Sequence, residues 1–390
     1  MSYFVTGATG FIGGNLVEQL SKRKGTMYAL VRPDSEHKLD ELRKKLGLKA
    51  ERLVAVHGDL TKPYCGVRKD VMEKLKGKVR HFFHVAAHYD MLSDDEAHQM
   101  RVNAEGTRGA ILLADTIKAK CFHHTSSVAV AGLFQGYWQE DMFEEAEDFD
   151  QPYFKSKRIA EAIVRTECRI PYRIYRPGIV VGHSRTGEIH KVDGPYYLFK
   201  FIQRVRTTLP SWIPMVGIEG GRINIVPVDY VVSAMDYLAH KSGLNGRTFH
   251  LTDPQPFRSG EALNIFAKAA RAPQFAMRID ARMLDIIPKN VREMVLQVPP
   301  VKRLIDSILR DLNVPRETLQ YINYPTRFDC RDTQRALEGS GISCPRLDTY
   351  APVIWDFWER NLDPDVHRDR TLAGTARDKV VVITGASSGI

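Results

Sequence analysis

Ser2-Tyr3-Phe4-Val5-Thr6-Gly7-Ala8-Thr9-Gly10-Phe11-Ile12-Gly13 opens the chain as a short apolar run that empties into three glycines, each three residues from the next. The run has the composition of a buried strand, and 12–22 behind it has the period of a helix. A glycine cluster between strand and helix is where backbone can turn tightly and set amides against a phosphate. Gly7 permits the turn, Gly10 lets backbone approach a pyrophosphate, and Gly13 lets helix and strand pack closely. Thr6, Thr9, Phe11 and Ile12 complete the loop and are read with the glycines as dinucleotide contacts.

Outward from the loop the same rhythm continues. Strand-like runs at 27–31 and 53–57 flank a helical pattern at 37–46, which makes βαβαβ and predicts a parallel sheet with helices on both faces. Further strands are expected at 80–85, 121–126 and 172–175, and long helices at 96–117 and 154–167. The fold class is therefore α/β, a doubly wound parallel sheet of six or seven strands, with its cofactor part over about residues 1–180. Beyond Gly182 the rhythm loosens into Gly/Pro-punctuated segments, amphipathic helices at 283–296 and 301–312, and an isolated strand at 247–251, which reads as a smaller substrate lobe over most of 183–361. Residues 362–378 are polar and charged, as in a linker. Residues 379–390 are again a strand entering a glycine turn, the truncated start of a second dinucleotide-binding domain, so the sequence reads as the front part of a longer protein.

Composition narrows the classes. An apolar fraction of 43% and a charged fraction of 26% are those of a globular enzyme or binding module. Five widely spaced cysteines with no CxxC argue against a disulfide framework and a zinc site, and fit a reducing compartment. No basic and apolar leader precedes the first strand, so a cytoplasmic location is expected. No stretch approaches the roughly 18 uncharged apolar residues of a membrane span, so any membrane contact would be peripheral. The net charge of +9 comes from basic residues that are scattered rather than clustered with exposed aromatics, which speaks against nucleic acid as a partner.

The chemistry-bearing residues lie where such a sheet gathers its ligands. Where an acidic residue would hold ribose hydroxyls about 20 positions past the loop, the sequence has Val31-Arg32-Pro33, and Arg32 suits a 2′-phosphate, hence NADPH, although Asp34 stands close by. Asp59 and Leu60 follow the third strand and could hold adenine; Ala86 and Ala87 follow the fourth and could line the cofactor with backbone. Tyr153 and Lys157 have a spacing that places both on one helix face, where an ammonium favours phenolate and brings a phenol into working range. They follow Ser127 at the end of the fifth strand.

Taken together, these motifs resemble the extended short-chain dehydrogenases/reductases. The resemblance rests on the loop at 6–13, Asp59, His84 to Ala87, Asn103 with Gly106-Thr107, Ser127 ahead of Gly132, Tyr153 with Lys157, and Arg176-Pro177-Gly178, within about the first 180 residues. It implies that Ser127 orients a carbonyl, Tyr153 transfers the proton and Lys157 holds the nicotinamide ribose, with Asn103, Pro177, Gly178 and Ile179 also bordering the cofactor. Over nearly the whole chain, FHHTSSVAVAGLF, FEEAEDFDQPYFKSK, RIYRPGIVVGHSRTGE and GRINIVPVDYVVSAMDYL resemble the N-terminal half of bacterial two-domain, alcohol-forming fatty acyl-CoA reductases. That implies NADPH-dependent reduction of a long-chain acyl-CoA, a fatty aldehyde or both in succession, and a covalently linked C-terminal reductase domain as partner. Sugar-nucleotide epimerases usually carry Tyr-Gly after the serine strand, whereas Ala131-Gly132 here leaves a less polar wall. A sugar-nucleotide or sterol enzyme with the same triad, and a silent NADP-binding module, remain as alternatives; the intact triad speaks against silence.

A wide apolar stripe, Met283, Leu284, Ile286, Ile287, Val291 and Met294, suits a greasy ligand or plain core packing. Along 196–213, Lys200, Arg204 and Arg206 among aromatics suit a membrane or an acyl carrier's phosphate, or simply a solvated face.

Overall fold

A strand covered on both faces needs apolar side chains at consecutive positions, and β1 (Ser2–Thr6) has them at Tyr3, Phe4 and Val5, all fully buried. The computed structural model describes residues 2–87, 95–147, 151–189, 194–280, 324–363 and 365–366. From β1 the chain runs through α1 (Phe11–Ser21), β2 (Thr26–Val31), α2 (Glu36–Leu46), β3 (Leu53–His57), α3 (Lys69–Leu75) and β4 (His81–His84). It continues through α4 (Glu96–Gln99), α5 (Gly106–Thr116), β5 (Cys121–Thr125), β6 (Gly136–Trp138), α6 (Pro152–Glu167), β7 (Tyr172–Pro177) and β8 (Ile179–Val181). Then come α7 (Phe199–Thr208), β9 (Met215–Glu219), β10 (Ile225–Pro227), α8 (Val228–His240), β11 (Thr248–Leu251), α9 (Ser259–Ala269) and β12 (Phe275–Asp280). The described chain ends with β13 (Thr326–Phe328), α10 (Arg331–Leu337) and α11 (Leu347–Asn361).

Seven parallel strands form the central sheet in the order β11-β7-β5-β4-β1-β2-β3. The winding reverses between β1 and β4, and the carboxyl ends at that crevice are where doubly wound sheets bind ligands. One face is covered by α1 and α8 through Leu16, Val17, Leu20, Val231, Met235 and Leu238. On the other, α5 and α6 bury Ala110, Leu113, Ile163 and Val164 against Phe82 and Phe122. A separate core joins α7, α9 and α11 through Phe199, Phe266, Trp355 and Trp358.

The structure departs from the sequence reading in three places. Residues 247–251 are not an isolated strand: β11 pairs with β7 from Thr248↔Ile174 to Leu251↔Pro177 and is the seventh member of the central sheet. The expected helix at 96–117 is broken by a π-helical turn, Met100–Glu105, between α4 and α5. The expected linker does not begin free of the lobe, because Leu362 N–H donates to Trp358 O at 2.9 Å and Asp363, 3% exposed, pairs with Lys200. The amphipathic patterns at 283–296 and 301–312, most of the linker, and the second glycine turn lie outside the described residues.

Candidate active site

Gly7 has φ +73°, and a Cβ there would stand 2.7 Å from Ala86 Cα; one on Gly13 would stand 2.0 Å from Gly7 O. The loop is thus a cradle of bare backbone between β1, α1 and the segment after β4. Gly10 caps α1 with no side-chain hydrogen bond, and the first helical turn holds no acidic residue. With neither side-chain cap nor counter-charge, the positive end of α1 is left for an anion such as a pyrophosphate. Thr9 is exposed, and Phe11 and Ile12 are half-buried, on this rim.

The adenosine end follows from strand order. β2 lies beside β3, so Arg32 and Asp59 emerge next to each other. Arg32 is exposed, and its side chain makes no capping bond to the short turn at Pro33–Ser35, where Asp34 is exposed as well. Asp59 accepts from the Thr61 amide at 2.9 Å and the Thr61 hydroxyl at 2.8 Å. That amide chiefly holds its carboxyl below the ordinary range, with the Lys62 and Arg32 charges contributing. Leu60 packs half-buried on the α5 core. Ala86 N–H donates to Thr6 Oγ1 at 3.2 Å, and Ala87 is exposed beyond it.

The catalytic candidates converge from β5 and α6. Ser127, half-buried just past β5, accepts from Ala129 N–H at 3.1 Å. Tyr153 sits in the first turn of α6, which Gln151 caps through Phe154 N–H at 2.9 Å. Its ring joins a small cluster with Ala129 and Phe154, two residues from Ser127. One turn on, Lys157 is buried and donates from Nζ to Thr125 O at 2.9 Å. Burial pulls its pKa down to about 8, against the opposing pull of Glu161. The sheet therefore brings Ser127, Tyr153 and Lys157 together. Pro177 ends the neighbouring β7; Gly178 N–H donates to Leu251 O at 3.2 Å and Ile179 N–H to Asn224 O at 2.8 Å, closing the same rim.

A buried relay links loop to helix. Thr6 Oγ1 lies 2.9 Å from His84 Nδ1, and His84 Nε2 lies 3.0 Å from Thr107 Oγ1. Thr107 donates to Asn103 O at 2.6 Å, Asn103 Nδ2 to Ser156 Oγ at 2.9 Å, and Ser156 Oγ to Tyr153 O at 2.9 Å. Burial drops the His84 pKa to about 3, so the ring is neutral. Thr107 gives its proton to Asn103 O, so Nε2 of His84 is the protonated nitrogen and Nδ1 accepts from Thr6. Asn103 is buried in the π-helical turn and joins it to α6 through Ser156.

Beneath Ser126, next to Ser127, lies an ion pair that motif reading missed. Glu161 and Arg176, both fully buried, bond through Arg176 Nη2 at 2.6 Å and Nε at 3.1 Å. Ser126 donates to Glu161 at 2.6 Å, and Arg165 donates to it as well. The Arg176 charge holds Glu161 well below the ordinary range against the cost of burial. A glutamate four residues after Lys157 is the only local signal. Glu140 was equally silent: its carboxylate accepts from His250 N–H at 2.8 Å, Asp332 N–H at 2.7 Å, Thr333 N–H at 3.1 Å and the Thr333 hydroxyl. Lys200 and Arg206, read as facing a membrane, a phosphate or simply solvent, pair with Asp363 just past α11 and with Glu359 in it. Among the described residues no cluster of His, Cys, Asp and Glu could hold a metal ion, and no helix is long and apolar enough to cross a membrane.

A bare glycine cradle at the β1/β4 crevice and a Ser-Tyr-Lys set at β5 and α6 define a nicotinamide-dinucleotide-binding domain of the extended short-chain dehydrogenase/reductase type. The chain belongs to the male sterility protein family, an NAD-binding family whose pattern matches residues 5–235. It is 28% identical over 387 residues to the non-canonical nonribosomal peptide synthetase hkm10 of Aspergillus hancockii, covering 92% of this chain and 36% of that one. It is also 28% identical over 272 residues to the aldehyde reductase lnbA of Aspergillus flavus, covering 64% of this chain and 26% of that one. The terminal R domain of the myxalamid PKS-NRPS pathway superposes with a TM-score of 0.70 at 28% identity, covering 92% of this chain and 91% of that domain. The chain thus spans about a third or less of the curated relatives it matches, and nearly all of a solved R domain.

Proposed function

We propose that this chain is an NADPH-dependent reductase of acyl thioesters or the aldehydes derived from them. The observation that carries this reading is the convergence on Ser127: buried Lys157 bonds Thr125 O two residues before it and Tyr153 packs on Ala129 two residues after it, in a sheet whose first strand runs into the glycine cradle. The cradle at Gly7, Gly10 and Gly13 would hold the pyrophosphate of NADPH, and Arg32 its 2′-phosphate. When bound, NADPH supplies the hydride. Ser127 donates a hydrogen bond to the substrate carbonyl oxygen, Tyr153 gives its phenolic proton to that oxygen as negative charge develops there, and the Lys157 ammonium stabilises the phenolate left behind. Reduction of a thioester releases a thiol and an aldehyde; a second round takes the aldehyde to the alcohol.

Two considerations bear on the acyl carrier. The sequence resemblance favours long-chain fatty acyl-CoA, and the relatives' names favour acyl or peptidyl groups held on a synthetase, with this chain as one domain of a longer protein; the cytoplasmic location rests on the sequence reading alone. The segment after Ser127, with Ala129, Val130 and Ala131 apolar and buried, suits either and offers a sugar nucleotide no polar side chain. NADPH oxidation by the purified chain, with octanoyl-CoA and octanal offered separately, tests the proposal. Oxidation with either supports it and identifies the step this domain performs; oxidation with neither overturns it.

A further inference from the structure

Of everything packed against the candidate site, Tyr324 comes from farthest away in sequence. Its ring lies on the cluster of Ala129, Tyr153 and Phe154. Its hydroxyl donates to Gly132 O, in the segment that joins Ser127 to α6. Its backbone rests on the opposite side against Gly221, where an added Cβ would meet Tyr324 O at 2.2 Å. A single side chain is thus held between the substrate lobe and the catalytic tyrosine. Its neighbours hold it there: Thr326 donates to Phe134 O at 2.7 Å, β13 pairs with β6, and Asp329 N–H donates to Trp138 O at 2.9 Å. Tyr324 also stacks on Phe328 at 6.1 Å, which meets His250 edge-on at 5.9 Å, and His250 lies 3.2 Å from Arg176 of the buried ion pair under Ser126.

On the reductase reading above, we infer that Tyr324 determines how broad an acyl group is accepted beside the reacting carbonyl. A flat ring packed on Tyr153 and pinned through Gly132 is a rigid wall. It passes an unbranched chain and obstructs a substituent on the carbon next to the carbonyl. Among the described residues, Ala129, Ala131 and Gly132 of the facing segment present little beyond backbone and Val130 is fully buried, which leaves Tyr324 as the large partly exposed side chain packed on Tyr153 and Phe154. Tyr324 itself carries no proton in the reaction, because its hydroxyl is committed to Gly132 O.

Octanal and 2-ethylhexanal are isomers that differ only in breadth at that carbon, and they serve as probes with NADPH oxidation as the readout. Wild type is expected to prefer octanal. In Tyr324→Ala the octanal-to-2-ethylhexanal ratio of kcat/KM should fall about tenfold, mainly through KM, with NADPH affinity unchanged, since pocket shape discriminates on that scale. Tyr324→Phe keeps the ring and loses the anchor, so its ratio should fall only about threefold. If Tyr324→Ala does not fold by circular dichroism, Tyr324→Leu replaces it. A ratio unchanged within about twofold, or equal losses on both aldehydes, overturns this inference and leaves the reductase reading standing. A wild-type chain that oxidises NADPH with neither aldehyde nor octanoyl-CoA overturns both.

Discussion

Lys157 is an ammonium in a place that disfavours charge: it is buried, with Thr125 O as its hydrogen-bond acceptor. Its pKa of about 8 in the free protein means the charged form is lost as pH rises through that value. If that charge supports Tyr153, kcat/KM for NADPH should fall about tenfold per unit above pH 8. A profile level to pH 10 would mean that another group limits the reaction. Tyr153→Phe removes only the phenolic hydroxyl, so on the proposed reaction turnover should drop roughly 100-fold or more while NADPH affinity in a fluorescence titration stays the same; near-normal turnover would move the proton donor elsewhere. Arg32→Ala should weaken NADPH by roughly 1.5 to 3 kcal/mol and barely affect NADH, because only NADPH offers a 2′-phosphate for a charge-assisted bond. Equal losses by titration would reject the cofactor assignment. These residues could be read in the sequence because each role depends on local spacing or on position at a strand end. Tyr324 and Glu140 could not, since their partners lie about two hundred residues away and nothing beside them in sequence marks the contact.

Among elements, β1 to β5 were legible because two-sided burial demands consecutive apolar residues, which few other structures tolerate. β11 was misassigned because four apolar-to-polar residues, Thr248-Phe249-His250-Leu251, carry no mark of which sheet receives them. Its place is secured by its register with β7 and by Glu140, which takes the His250 amide. The π-helical turn was invisible for a related reason: Asn103 and Thr107 keep helical spacing while the backbone widens to let Asn103 meet Ser156. Glu140 joins the segment after β6 to the first turn of α10, so Glu140→Ala strands several buried amides at once. Each stranded group costs roughly 1 to 3 kcal/mol, so with three amides involved chemical denaturation should register a total loss of about 3 kcal/mol or more. A change under about 0.5 kcal/mol would mean that water replaces the carboxylate without cost.

For the whole molecule, binding to the folded state alone should stabilise it. At a hundredfold excess over Kd, NADPH should add about 2.7 kcal/mol and raise Tm by several degrees, with NADH at the same concentration adding less. No shift with either nucleotide would remove the cradle from consideration. The lobe's core of Phe199, Phe266, Trp355 and Trp358 is closed by the C-terminal part of the described chain, with Asp363 still docked on Lys200. Both sides of the site therefore depend on sequence far beyond the loop that reveals the fold. Between the loop and α6, the six hydrogen bonds of the relay, counted from the Ala86 amide, have one further property. Every donor in it faces the same way, from the Ala86 amide through Thr6 and His84 to Ser156, and the last acceptor is the Tyr153 carbonyl rather than its phenol. A proton cannot travel along it, because the chain enters Asn103 at its main-chain oxygen and leaves from its side-chain amide, and neither that amide nor the one at the head surrenders its hydrogen. The wiring is electrically mute. Solvent deuterium should therefore slow turnover as though one proton were in flight, with a rate that falls linearly as the deuterium fraction rises.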